Sequence, residues 1–292
     1  MPIFATALVM KDKFSVFTHK TAHFVRGLMG DRYVTERFTS FSPKLNRQVM
    51  VDVLRPSHVN GSTFPLLILN DGQDAEALQL KFSVERLWQR GEIAPVIIAC
   101  VHAGDRMQEY GVAVEKDFAG RGSRAKEYND FLLDELLPYL KNKYPIDSNQ
   151  QAIAGFSLGA LSAMDIAWNH PDVFKKVGAF SGSFWWRRKD SADKDFDEKK
   201  DRIMHSQVRD DEMKNGLKFW FQTGTKDEPF DRNGNGVIDS IDDTLDLIAE
   251  LTKKGYRPFH DIVYYEIHNG EHNQHTWAQA LPHFLKWAFG AN

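Results

Sequence analysis

Residues 151–163 read QAIAGFSLGALSA. A short run of small and branched apolar residues enters Gly155-Phe156-Ser157-Leu158-Gly159, and an apolar run with helical spacing leaves it. The pentapeptide G-x-S-x-G means little alone. Between a buried strand and an apolar helix it describes a sharp turn that lifts a serine hydroxyl above the edge of a sheet. Glycine is needed on both sides, because a side chain at Gly155 or Gly159 would collide with a neighbouring strand or helix. The helix also aims its N-terminus at any negative charge developing beside Ser157. Ser157 is therefore the candidate nucleophile.

The same strand–helix alternation continues outward from this turn. Residues 35–41 and 47–54 alternate apolar and polar, as in a half-exposed antiparallel pair. The runs at 65–70, 95–101, 151–155, 177–181, 217–223 and 261–267 are short and continuously apolar, which suits parallel strands buried on both faces. Helical patterns lie between them at 74–90, 124–143, 158–169, 241–254 and 277–289, with Pro138 expected to kink the second. The expectation is a single α/β domain over 1–292, with a mostly parallel eight-stranded sheet and helices on both faces. Two stretches look irregular, 104–125 and 185–215. The second opens on Trp185-Trp186 and continues densely charged, so it reads as a lid or pocket wall, with a solvated surface segment as the alternative.

Composition excludes several classes. Hydrophobic residues make up 42% and charged residues 26% of the 292, ordinary for a globular protein. The formal net charge of -3 gives no bulk basic field for nucleic acid or an anionic membrane surface. A lone cysteine, Cys100, rules out an intrachain disulfide and any multi-thiolate site. No run approaches the ~20 apolar residues of a membrane span. The opening MPIFATALVMKDKF lacks a basic leader region, so the expectation is a cytoplasmic protein without a signal peptide. Composition carries no indication of oligomeric state.

A serine needs a base, and the base needs an orienting acid; for this motif the chain order is serine, acid, histidine. Downstream of Ser157 the strand at 217–223 runs into Gly224-Thr225-Lys226-Asp227-Glu228. The last strand runs into His268-Asn269-Gly270-Glu271-His272-Asn273-Gln274-His275. Acid and histidine candidates thus lie at the C-terminal ends of separate strands, where open α/β sheets bind ligands. Asp227 is preferred on strand-end placement, with Glu228 as its competitor; His268 and His275 compete with His272. Arg106, Glu109 and Tyr110 follow the fourth strand on the same rim, as pocket neighbours or as a structural ion pair.

These stretches together resemble the putative-esterase family of the α/β-hydrolase fold, the group of enterochelin esterases, feruloyl esterases, S-formylglutathione hydrolases and mycolyltransferases. The resemblance extends from about residue 35 onward and rests on LLILNDGQD, EYNDFLLDELLPYL, AIAGFSLGALSAM, HPDVFKKVGAFSGSFW, GTKD and G-x-H with Trp277 five residues later. It implies Ser157 as nucleophile, Asp227 in G-T-x-D as acid and His272 in G-x-H as base. It implies oxyanion donors at Gln73, after Asp71-Gly72, and at Leu158. Ala160 stands where many relatives have glycine, and Glu228 beside Asp227 is a second departure.

The leading expectation is a serine hydrolase that cleaves a small carboxylic ester through an acyl-enzyme, without a catalytic cofactor. Acyl transfer to another alcohol uses the same triad. A metallohydrolase on His268, Glu271, His272 and His275 would leave Ser157 unexplained, and a non-catalytic carbohydrate- or siderophore-binding protein would leave the whole set unexplained. One more motif stands apart. Residues 231–242, DRNGNGVIDSID, place oxygen side chains at loop positions 1, 3, 5, 9 and 12 and a glycine at 6. That is the spacing of an EF-hand-type Ca²⁺ loop. It nominates Asp231, Asn233, Asn235, the Val237 carbonyl, Asp239 and Asp242 as ligands of a structural Ca²⁺.

Overall fold

The computed structural model describes residues 32–58 and 61–291, so the opening stretch read for a leader lies outside the described residues. Eight strands form one sheet: β1 (Tyr33–Ser42), β2 (Arg47–Pro56), β3 (Phe64–Asn70), β4 (Ile97–Val101), β5 (Ile146–Phe156), β6 (Lys176–Phe180), β7 (Lys218–Lys226) and β8 (Ile262–Glu271). Their spatial order is β1-β2-β4-β3-β5-β6-β7-β8. The pairings of β1 with β2 and of β2 with β4 are antiparallel, and every other pairing is parallel, so the sheet is mixed. The C-terminal ends of β3 to β8 therefore share one edge, on which every residue nominated for catalysis sits.

Each central strand alternates between two cores. On one face Leu66, Ile68, Ile153, Val177, Phe219 and Phe221 meet the helices at 125–143, 158–169, 203–210 and 239–254. On the other, Leu67, Leu69, Ala152, Ala154, Phe180 and Trp220 meet those at 80–89 and 274–289. Continuous apolar runs follow from this, since both faces of each strand are covered.

The helices are α1 (Leu80–Gln89), α2 (Arg106–Glu109), α3 (Ala125–Asp130), α4 (Leu137–Lys143), α5 (Leu158–Asn169), α6 (Glu198–Asp201), α7 (Ile203–Asp210), α8 (Asp239–Lys254) and α9 (Gln274–Phe289). Three differ from the sequence reading. The stretch at 74–90 is not one helix: a 3₁₀ turn spans Gly72–Asp74, and Gln79 at φ 51 interrupts the chain before α1. Between α3 and α4 lies a π-helical stretch, Phe131–Leu136, immediately ahead of Pro138. A proline ring collides with the carbonyl four residues back, and the wider π turn there accommodates it. Finally, α9 starts at Gln274, because the Asn273 side chain accepts from Thr276 N and caps it.

The segment 185–215 contains α6 and α7. Ile203, Met204 and Val208 of α7 are buried in the first core. Arg202, 5% exposed, donates to Asp243 and Asp246 of α8. Among the described residues no helix is long and apolar enough to cross a membrane.

Candidate active site

Ser157 sits directly after β5 with φ 54 and ψ -117, a conformation costly for any residue with a Cβ. The surroundings hold it there. Its N–H donates to Phe180 O, and its carbonyl accepts from Ala160, Leu161 and Ser183. The flanking glycines are sterically required: a Cβ on Gly155 would lie 2.3 Å from Gly159 O, and one on Gly159 would lie 2.5 Å from Asp71 Oδ2. The Ser157 hydroxyl lies 3.2 Å from Ser183 Oγ.

Asp227 follows β7 and is 8% exposed. Its Oδ2 accepts from Gly224 N at 3.0 Å and its Oδ1 from Ser181 Oγ at 3.0 Å. His272 follows β8, with Nδ1 3.9 Å from Asp227 Oδ1. Its ring meets Trp277 edge-on at 5.3 Å, and Trp277 in turn packs on Phe156, the residue before Ser157. The structure thus brings Asp227 and His272 together, one packing layer from Ser157. Among the described residues no hydrogen bond joins His272 to Ser157. Burial lowers the His272 pKa; Asp227's charge opposes this and the Arg106 guanidinium adds to it. Burial also raises the Asp227 carboxyl, against the Gly224 N–H, the His272 charge and the Ser181 O–H. Desolvation thus favours a neutral imidazole, the form that can accept a proton.

The competitors are placed elsewhere. Glu228 is turned to the backbone N–H of Ser240 at the start of α8, and burial pushes its carboxyl up to about 7. His268 is exposed, and His275 contacts Gln279 at 2.9 Å. Among the described residues no three His, Cys, Asp or Glu side chains stand together so as to hold a metal.

The oxyanion candidates lie on facing segments. Gln73 belongs to the 3₁₀ turn after β3 and Leu158 opens α5; neither backbone N–H is taken up by a protein acceptor among the described residues. The Gln73 loop is tied to the serine turn by a network the sequence reading did not resolve. Asn70 Nδ2 donates to Gly159 O, and Tyr128 O–H to Asn70 Oδ1. Arg106 donates to both oxygens of buried Asp71 at 2.8 and 3.1 Å, and to Phe156 O at 3.0 Å. Arg106 is thus both an ion-pair partner and a pocket neighbour. Glu109 is a structural partner, held by Arg47 at 2.6 Å through both oxygens. Trp186 is buried against Gly111 and Gly122, whereas Trp185 is half-buried under the Arg121 guanidinium at 4.7 Å. Ser181 and Ser183, missed from sequence, were visible there only as an unremarkable Ser-Gly-Ser after β6.

This fold, with a strained serine and an aspartate–histidine pair on one sheet edge, defines an α/β-hydrolase. The Esterase family model, described as "Putative esterase", matches residues 42–288, and the chain belongs to that family. The enterobactin esterase FES of Shigella flexneri superposes with a TM-score of 0.69 at 20% identity over 87% of this chain. This chain covers 58% of it, little more than half its length. A ferulic acid esterase superposes with a TM-score of 0.66 at 20% identity, over 89% of this chain and 99% of that one. The diacylglycerol acyltransferase/mycolyltransferase Ag85A of Mycobacterium leprae is 27% identical over 145 residues, 48% of this chain and 42% of its own length.

Proposed function

We propose that the protein is a serine esterase acting on a small carboxylic ester through an acyl-enzyme. The observation that carries this reading is Ser157, held at positive φ on the same sheet edge as His272 and its buried partner Asp227. Ser157 Oγ attacks the acyl carbon while His272 Nε2 takes its proton, and Asp227 orients the ring. The Gln73 and Leu158 N–H groups stabilise the oxyanion. Collapse expels the alcohol, which takes the proton back from His272. Water, deprotonated by the same nitrogen, then releases the acid. Peptide mapping after fluorophosphonate treatment tests the assignment: the adduct is expected on Ser157, and an adduct on another residue would overturn it.

The direction of the His272 shift fixes the pH dependence. An imidazole whose pKa is lowered stays neutral to a lower pH, so kcat/KM should be level through neutrality. It should fall only below a midpoint under the ordinary histidine value of ~6.5. An acid limb centred above neutrality would contradict the proposed environment.

The similarity to an acyltransferase favours a second reading, transfer of the acyl group to an alcohol other than water. Adding a simple alcohol during turnover distinguishes the two. Transfer predicts a new ester at the expense of free acid, and hydrolysis predicts none.

The loop at 231–242 is proposed to take Ca²⁺. Asn233 and Asn235 both reach Asp242 Oδ2, at 2.8 and 2.7 Å, while Asp231 accepts the backbone N–H groups of Gly234, Asn235 and Gly236. The support is the spacing of oxygen side chains at positions 1, 3, 5 and 12. Both asparagine contacts run through Nδ2, and the Asp231, Asn233 and Asn235 oxygens accept backbone N–H groups, so these side chains would turn toward a bound ion. Asp239 faces Arg232 instead and would have to turn to join them. Bound Ca²⁺ would tether the loop after Asp227 to α8. A hundredfold excess over Kd should add about 2.7 kcal/mol and raise the melting midpoint by roughly 5 °C, reversed by EDTA. No calorimetric shift with millimolar Ca²⁺ would rule this out.

A further inference from the structure

Two residues outside the proposed triad fix the direction of its protons. An indole N–H can only donate, so in the 3.0 Å contact between Trp277 Nε1 and Ser181 Oγ the serine oxygen is the acceptor. The single O–H of Ser181 is then left for its other partner, Asp227 Oδ1, at 3.0 Å. An ionised carboxylate only accepts. Asp227 Oδ1 therefore faces His272 Nδ1, 3.9 Å away, as an acceptor, which favours the tautomer with its proton on Nδ1. That leaves Nε2 with a lone pair.

The chain of contacts closes on itself, since the Trp277 ring that starts it also buttresses the His272 ring at 5.3 Å. Ser181 and Trp277 are 2% and 5% exposed, so water does not readily replace either bond. Ser181 is held at φ 45, with its N–H on Gln222 O at 2.7 Å. The backbone thus accepts a strained conformation at the residue whose hydroxyl meets the acid.

We infer that Ser181 and Trp277 are positioning residues that orient Asp227 and fix the His272 tautomer. This rests on the serine-esterase reading and adds two members to its machinery. The charges acting on His272 are Asp227 and Arg106, and Asp227 also lies near Glu228 and Tyr264. Without the Ser181 O–H, the full carboxylate charge faces His272 and holds a proton on the imidazole to higher pH.

The test is the rate of Ser157 phosphonylation by a fluorophosphonate, followed against pH. Oγ–P forms, P–F breaks, fluoride leaves and His272 Nε2 takes the serine proton, so the readout needs no knowledge of the natural ester. Ser181→Ala should slow the reaction about tenfold or more at neutral pH and move the acid limb up by roughly half a pH unit. Ser181→Gly relieves the positive φ and should do the same, which separates loss of the hydroxyl from backbone strain. Trp277→Phe keeps a smaller aromatic ring on the side of His272 and Phe156 and removes the N–H. It should move the limb in the same direction by less. An unmoved acid limb in folded Ser181→Gly and Trp277→Phe would overturn the inference, whatever the fall in rate. Ser157→Ala is run alongside: labelling that persists there sinks the serine reading itself, whereas labelling lost there with unmoved limbs sinks only the positioning role.

Discussion

Ser157→Ala is expected to lower ester turnover by about a millionfold while leaving the denaturation midpoint close to that of the parent protein. The size follows from what the hydroxyl does: without Oγ no acyl-enzyme forms, and only the oxyanion donors and substrate binding remain. The strained backbone at φ 54 is retained, because alanine has the same Cβ. His272→Ala should be nearly as severe, and the double variant scarcely worse than either single one, because the groups act as a unit. Asp227→Asn should be milder, since the ring keeps its Trp277 contact. Turnover of a p-nitrophenyl ester checks all four. Independent, multiplying losses from Ser157 and His272 would show that the two do not share a step.

The fold was legible because its determinants are local. Runs such as 65–70 and 177–181 are apolar without alternation and too short for a helix, as strands covered on both faces are. Ser157 was legible for the same reason: its two glycines, its strand and its helix lie within one stretch. The second tier of the site was not. Ser181 lies 46 residues from Asp227 and 96 from Trp277, so nothing local marks its hydroxyl. The π turn ahead of Pro138 escaped because apolar spacing does not separate α from π over a few residues. The difference between Asp227 and Glu228 was not legible either, since it is one of direction: adjacent carboxylates at a strand end turn opposite ways, one to His272 and one to Ser240.

Arg106→Ala should damage both stability and catalysis, and the reason is geometric. One guanidinium binds both oxygens of Asp71, which is 1% exposed, and also Phe156 O, the last carbonyl before Ser157. It thereby joins the loop carrying Gln73 to the turn carrying Ser157. Removing it leaves a buried carboxylate facing only the Gln73 side chain at 3.1 Å, a loss of about 3 kcal/mol, the lower end for breaking a buried pair because Arg106 is itself a third exposed. The Gln73 N–H is then no longer fixed against Leu158, and kcat should fall about a hundredfold, as for a displaced oxyanion donor. Arg106→Lys should rescue little, because a point charge cannot span two carboxylate oxygens and a carbonyl. The pH profile adds an independent mark. Arg106 helps to lower the His272 pKa, so its removal should move the acid limb upward. Urea titrations and pH-rate curves of the two variants check these outcomes. Stability within about 1 kcal/mol of the parent, together with an unshifted limb, would mean that the oxyanion loop is held by the Asn70 and Tyr128 bonds alone.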